Sequence, residues 1–321
     1  MKSNKRIFFR ADADAKIGYG HFIRTLALAD MLKDDFDCVF FTSDPTEYQR
    51  NEVAKVCRLV ALPADNGKFD GFLEYLTGSE IVFLDNYFYT PTYEKIIKAM
   101  GCKLVVLSPS KPRHYADIVV NYIDKDPTHY SVEPYTRIVA GLEWVILREP
   151  FRQPIQSNSR QKGSVIISFG GTDQFCLTEK AVQELGEKKC QISVIFTSRV
   201  SEERRQELKN QGIQVYTDIS AEDVASLFEQ SEFAILSSST VCLEALSRGT
   251  KVLAGYYVDN QVNFYHVLME EHCITGLGNL MEDGCFMQLK ALMGKEMEVK
   301  LLAMDFNGLR ERYVSLFNSL C

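Results

Sequence analysis

Short apolar runs alternate with helical stretches along the whole chain, and that alternation limits the fold more than any motif in it. In the first half the runs lie at 7–9, 38–42, 59–62, 81–84, 104–107 and 118–120. Several are continuously apolar, as expected of strands buried on both faces of a parallel sheet that helices cover. A second series follows at 165–169, 192–197, 215–216, 233–236, 252–254 and 273–275. Between the two series, 148–163 is polar, holds Pro150 and Pro154 and has no period, which predicts a linker. The expected architecture is therefore α/β: two Rossmann-like domains, at 1–150 and 164–303, whose parallel sheets face a central cleft. Helical spacing of Leu301, Leu302, Met304 and Phe306, then Leu309, Tyr313, Leu316 and Phe317, predicts terminal helices broken at Asn307-Gly308. The segment 304–321 is expected to pack back on the first domain.

Composition narrows the partners. The chain has 321 residues, 46% of them hydrophobic, enough for two cores, and its net charge of −7 argues against a dedicated nucleic-acid binder. Nine cysteines show no Cys-x-x-Cys pair or zinc-type spacing, and with no signal peptide they predict a reducing cytoplasm and no bound metal. No apolar run approaches the roughly 18–20 residues of a membrane span. A cytoplasmic monomer without stable membrane insertion is the expectation.

Ligands of parallel sheets gather at the carboxyl ends of the strands. In the first half those ends carry Asp12, Ser43-Asp44, Asp85-Asn86-Tyr87 and Ser108-Pro109-Ser110. Behind the first strand comes Ile17-Gly18-Tyr19-Gly20-His21-Phe22-Ile23-Arg24, a glycine turn and then a helix rich in Leu, Ala and Met. Exposed N–H groups at a helix start favour an anion, and an imidazole transfers protons near neutral pH. The stretch lacks the Gly-Lys-Ser/Thr of a Walker loop and the third glycine of a dinucleotide fingerprint. A plain strand-to-helix turn capped by His21 explains it equally well. Asp85-Asn86-Tyr87 likewise reads as an Asx turn with a half-buried aromatic as readily as a ligand site.

Three stretches of the second half suit nucleotide chemistry. Ser168-Phe169-Gly170-Gly171-Thr172-Asp173 follows a strand, and its glycines allow backbone to approach a phosphate. Ser237-Ser238-Ser239-Thr240 sets hydroxyls at a helix start, with Glu244 one turn in as a ribose acceptor. Asp259-Asn260-Gln261 opens another helix and is placed to reach a sugar. Each has a structural counterpart, since Ser and Thr are preferred N-caps and a glutamate in a first turn is favoured by the helix dipole.

Taken in order, Arg10-Ala11-Asp12, Gly18-x-Gly20-His21-x-x-Arg24, Asp85-x-Tyr87, Leu147-Arg148-x-x-Phe151, Phe169-Gly170-Gly171-x-Asp173, Glu244-Ala245 and Asn260-Gln261 resemble the UDP-sugar hydrolases of pseudaminic acid biosynthesis. Those are similar in fold to the MurG-type glycosyltransferases. The resemblance implies a GT-B fold, no metal, no cofactor and UDP held mainly by the second domain. It also implies the reaction: water attack at the anomeric carbon of UDP-2,4-diacetamido-2,4,6-trideoxy-β-L-altrose, with inversion. It makes His21 the base and Tyr87 its neighbour at the water or sugar. It gives Ser239 and Thr240 the diphosphate, Glu244 the ribose, and Asn260 and Gln261 the sugar side. Arg10, Asp12, Gly18, Gly20, Arg24, Gly170 and Gly171 are expected among the substrate and UDP contacts. Asn86 stands where a histidine is common in that family, and roughly 44–77 carries no matching motif. Two other functions fit the same pattern: a GT-B glycosyltransferase with a UDP-sugar donor, and a non-catalytic nucleotide-sugar binder in which His21 is structural.

Overall fold

The computed structural model describes residues 5–13, 18–107, 113–155, 160–186, 191–294, 306 and 308–321. The chain forms two compact units, Met1–Glu149 with Asp305–Cys321, and Pro150–Met304.

The first unit is built on a parallel sheet of β1 (Arg6–Arg10), β2 (Asp37–Ser43), β3 (Arg58–Leu62), β4 (Ile81–Leu84), β5 (Lys103–Leu107), β6 (Ile118–Asn121) and β7 (Arg137–Ala140). Their order is β3-β2-β1-β4-β5-β6-β7. The chain winds outward from β1 and then returns to lay β4 against the other side of β1. The order therefore reverses between β1 and β4, and the loops leaving those strands must part there. Such a switch point is where open α/β sheets bind ligands.

Helices α1 (Gly20–Leu32), α2 (Glu47–Ala54), α3 (Gly67–Leu73) and α4 (Pro91–Ala99) connect the strands. Local signals start them: Thr46 and Gln49 form a capping box on α2, and Thr90 caps α4 with Pro91 at its first turn. Phe8, Val39, Phe41, Phe72, Val82 and Leu104 form part of the core on one side of the sheet.

The second unit repeats the plan. Strands β8 (Gln161–Ser168), β9 (Ile192–Phe196), β10 (Gln214–Thr217), β11 (Ser231–Ser237), β12 (Lys251–Tyr256) and β13 (Thr275–Asn279) lie in the order β10-β9-β8-β11-β12-β13, all parallel. Its switch point falls between β8 and β11. Helices α5 (Leu177–Leu185), α6 (Glu202–Asn210), α7 (Ala221–Gln230), α8 (Thr240–Ser247), α9 (Asp259–Glu270) and α10 (Leu289–Met293) belong to it. The last helix, α11 (Leu309–Asn318), belongs to the first unit: Leu309, Tyr313, Leu316 and Phe317 are buried, and Phe317 lies 6.3 Å from Phe36 and 6.5 Å from Phe83 between ring centroids. No described helix is long and apolar enough to cross a membrane.

Three expectations need correction. The edge strand β7 has no counterpart in the apolar runs, because its Arg-Ile-Val-Ala is short and only partly buried. The final run, expected at 273–275, is a strand over Thr275–Asn279, where Gly276 and Gly278 hide the apolar signal and the register with β12 shifts. The expected linker is in part structure: Glu149–Phe151 is a 3₁₀ turn, Phe151 is fully buried, and Arg248 donates to the carbonyls of Phe151 (3.2 Å) and Gln153. Ile17, Ser108, Pro109, Ser110, Leu301, Leu302, Met304 and Asn307 lie outside the described residues, so the readings placed on them are not pursued.

Candidate active site

Arg10, Asp12, Gly18, Gly20, His21, Arg24 and the Asp85-Asn86-Tyr87 stretch all belong to the end of β1 or to the segments that follow β1 and β4, at the switch point. β1 ends in Arg10 and leads to Asp12, β4 leads to Asp85, Asn86 and Tyr87, and α1 begins at Gly20 with His21 second. Gly18 turns the chain into α1 at φ +78°, an angle that side chains with a Cβ rarely adopt. Gly20 has no such need, and a Cβ there would meet open space.

His21 and Arg24 are one helical turn apart on α1 and converge on Asp85, a carboxylate with no exposed surface. His21 Nδ1 is 2.7 Å from Asp85 Oδ1. A carboxylate only accepts, so we assign the proton to Nδ1 and the lone pair to Nε2; Arg24 Nη2, 2.8 Å from Nδ1, is then a second donor directed at the same Asp85 Oδ1 rather than a hydrogen-bond partner of the imidazole. Nε2 makes no hydrogen bond to a described residue, and His21 keeps 5% of its surface exposed. Arg24 grips the same carboxylate in a fork, Nε to Oδ2 and Nη2 to Oδ1, both at 2.5 Å, while Thr25 Oγ1 donates to Oδ2 at 3.1 Å. Burial alone would raise the Asp85 carboxyl. The Arg24 guanidinium outweighs it, with His21 adding to the effect, and holds it at about 2. Tyr87 is 51% exposed and stands edge-on to the imidazole, ring centroids 4.6 Å apart.

A second buried carboxylate, Asp12, lies beside this group. Arg10 donates to both of its oxygens, at 3.0 Å to Oδ2, the Ser43 N–H donates to Oδ1 at 2.8 Å, and Lys68 Nζ donates to Oδ2 at 2.9 Å. Asn86 fastens the backbone, accepting from the Asp12 N–H at 2.7 Å and donating to its carbonyl at 3.2 Å. Burial would raise the Asp12 carboxyl, yet Arg10 draws it below the usual range.

Three of the expected ligand contacts lie inside these networks. Arg10 has no exposed surface. Asp12 already receives donors at its roughly four acceptor positions. Arg24 is committed to Asp85 and to the Tyr122 hydroxyl at 3.1 Å. All three are hydrogen-bonded to neighbouring side chains. Asp85 was visible at its strand end, but Thr25, Tyr122 and Lys68 carry no motif. His114 stands apart as a core group, 1% exposed with Nδ1 3.0 Å from Glu94.

In the second unit the carboxyl edge is mostly backbone and hydroxyl. Gly170 turns at φ +88°, and a Cβ on Gly171 would come within 2.5 Å of the Thr197 methyl, so both positions require glycine. Asp173 is a structural cap: it accepts from the N–H groups of Leu177 (2.9 Å) and Thr178 (3.0 Å) and pairs with Arg204 at 2.8 Å. Ser239 is the N-cap residue of α8, but its hydroxyl makes no capping hydrogen bond. Ser239 and Thr240 are half-buried, and Ser238 is buried with an unpartnered hydroxyl. Glu244 is 6% exposed. Asn260 is exposed in the first turn of α9, and Gln261 Oε1 accepts from the Tyr257 N–H at 3.1 Å, closing its own turn.

No protein-family model matches the chain. It is 27% identical over 266 residues to the UDP-2,4-diacetamido-2,4,6-trideoxy-beta-L-altropyranose hydrolase of Campylobacter jejuni, covering 80% of this chain and 93% of that one. To the spore coat polysaccharide biosynthesis protein SpsG of Bacillus subtilis it is 23% identical over 295 residues, covering 85% and 84%. In three dimensions it is similar to MurG of Acinetobacter baumannii, with a TM-score of 0.64 over 98% of this chain and 99% of that one, at 10% identity. The fold is GT-B.

Proposed function

We propose that this chain is a nucleotide-sugar hydrolase that releases UDP from UDP-2,4-diacetamido-2,4,6-trideoxy-β-L-altrose, in the biosynthesis of pseudaminic acid. The observation that carries the reading is the imidazole of His21, its Nδ1 2.7 Å from Asp85 and its Nε2 left unpartnered among the described residues. An imidazole oriented in this way is a general base. The similarity to the Campylobacter jejuni hydrolase supports the substrate.

In the proposed reaction Nε2 takes a proton from water. The water oxygen bonds to the anomeric carbon, and the bond from that carbon to the phosphate oxygen breaks with its electron pair leaving on UDP. Configuration inverts. Asp85 stabilises the imidazolium that forms, and Arg24 keeps Asp85 ionised throughout. Tyr87, exposed beside the imidazole, orients the water or the sugar. In the second unit, Gly170, Gly171, Ser239 and Thr240 are assigned to the diphosphate, Glu244 to the ribose, and Asn260 with Gln261 to the sugar side. UDP is a good leaving group, so one base and a set of fixed donors suffice for the chemistry, and no metal or cofactor is assigned a role.

The test is incubation with that UDP-sugar in oxygen-18 water, followed by mass spectrometry. Label in the free sugar supports the reading. His21→Asn is expected to lower turnover by roughly 10²- to 10⁴-fold while UDP still binds. Release of UDP only when a carbohydrate or lipid alcohol is added would replace the hydrolase with a glycosyltransferase. Unchanged turnover in His21→Asn would remove His21 from the role.

A further inference from the structure

The Arg10–Asp12–Lys68 cluster holds two cations and one carboxylate, and their burial divides the labour. Arg10 has no exposed surface and spends its fork on Asp12, which neutralises that carboxylate by itself. The second cation is therefore in surplus. Lys68, on α3, retains 16% side-chain exposure. Its ammonium is held at a fixed point: 2.9 Å from Asp12 Oδ2, 4.6 Å from the ring centroid of Phe88 and 5.5 Å from that of Phe69. An ammonium has three N–H donors, and one is used on Asp12. Two remain without an acceptor among the described residues. Asp12 is bonded in turn to Asn86, the residue between Asp85 and Tyr87.

We propose that Lys68 is a ligand-contacting, specificity-determining residue of the first unit, donating to an oxygen of the substrate that carries negative charge or a strong carbonyl dipole. The proposal rests on the nucleotide-sugar reading above and adds a contact that neither the sequence motifs nor the expected UDP groups supply. Two oxygens have that chemistry: the carbonyl of an acetamido group on the sugar, and a diphosphate oxygen. Asp12 and the two rings preorganise the ammonium, so little side-chain entropy is lost when the ligand arrives.

The experiment compares His21→Asn proteins with and without Lys68→Met, measuring binding of the UDP-sugar and of UDP alone by calorimetry. Methionine keeps the stem packed between Phe69 and Phe88, and Arg10 still neutralises Asp12, so the fold is expected to survive; a melting curve checks it. Loss of a charge-assisted hydrogen bond predicts about a 10- to 100-fold weaker complex. Weaker UDP-sugar with unchanged UDP places the contact on the sugar, and equal weakening of both places it on the diphosphate. Lys68→Arg restores part of either loss. Unchanged binding of both ligands overturns the proposal, as does a loss that tracks a lowered melting temperature and that Lys68→Arg does not recover. Binding is read without turnover, so failure of the wild type to hydrolyse would count against the hydrolase reading and leave the Lys68 comparison standing.

Discussion

The two units end their parallel strands in different materials. At the first switch point the groups are charged side chains, two buried carboxylates filled with donors, Asp85 by three residues of α1 and Asp12 by residues of three elements. At the second they are glycines, serines and a helix start, and the acid of the Phe-Gly-Gly-x-Asp motif there, Asp173, is used up capping α5. Side-chain networks in a low-dielectric setting fix orientation and protonation state, which proton transfer requires. Backbone and hydroxyl donors adapt to a phosphate or ribose without a fixed charge of their own. The same topology thus offers one edge suited to chemistry and another suited to holding a ligand.

The contrast breaks first at Asp85. Asp85→Asn removes the negative charge, turns one acceptor oxygen into an N–H donor and strands the Arg24 guanidinium beside it, a cost of about 3–5 kcal/mol by analogy with other broken buried pairs. Chemical denaturation measures that loss, and turnover is expected to fall by roughly 100-fold or more because the amide no longer holds the imidazole in the tautomer with a free Nε2 or stabilises the imidazolium. If stability falls while kcat holds, the network is structural only.

Acid probes the same edge more gently. Asp85 is held at about 2 in the folded chain, below its ordinary 3.8, so its stabilisation is complete above pH 4 and is lost as pH falls toward 2. The size is on the order of 2 kcal/mol, and Asp12 adds to it in the same direction. Unfolding free energies across that interval should decline in the wild type and flatten in Asp85→Asn. An unchanged slope in the variant would remove Asp85 as the source.

The smallest effect is expected at the second edge. Gly170→Ala forces a Cβ onto φ +88°, costing about 1–2 kcal/mol, and should weaken UDP binding while leaving the His21 network intact. Gly20→Ala, with open space around it, is the control and should change stability by less than about 0.5 kcal/mol. Equal effects at the two glycines would erase the distinction drawn between the edges.

Much of this was legible in the sequence where the physics is local. Continuous apolar runs found β1, β2, β4, β5 and β8 because strands covered on both faces need no polar residue. The partly buried edge strand β7 left no such trace, and β13 left one displaced to 273–275. His21 and Arg24 could be paired from their helical spacing. The acceptor that joins them is Asp85, 64 positions from His21, and nothing local announces that the two motifs meet. The saturation of Asp12 was invisible for the same reason: its donors come from Arg10, Ser43 and Lys68, on three separate elements. Lys68 lies in the stretch that matched no motif.

The return of α11 to the first unit has a consequence for how the protein is made. Tyr313 and Phe317, buried in the first unit, leave a ribosome only after the second unit has left it. The whole of Pro150–Met304 is synthesised before they appear. During translation the second unit has all its parts first, while the first waits with an apolar face bare, open to chaperones or to a neighbouring nascent chain.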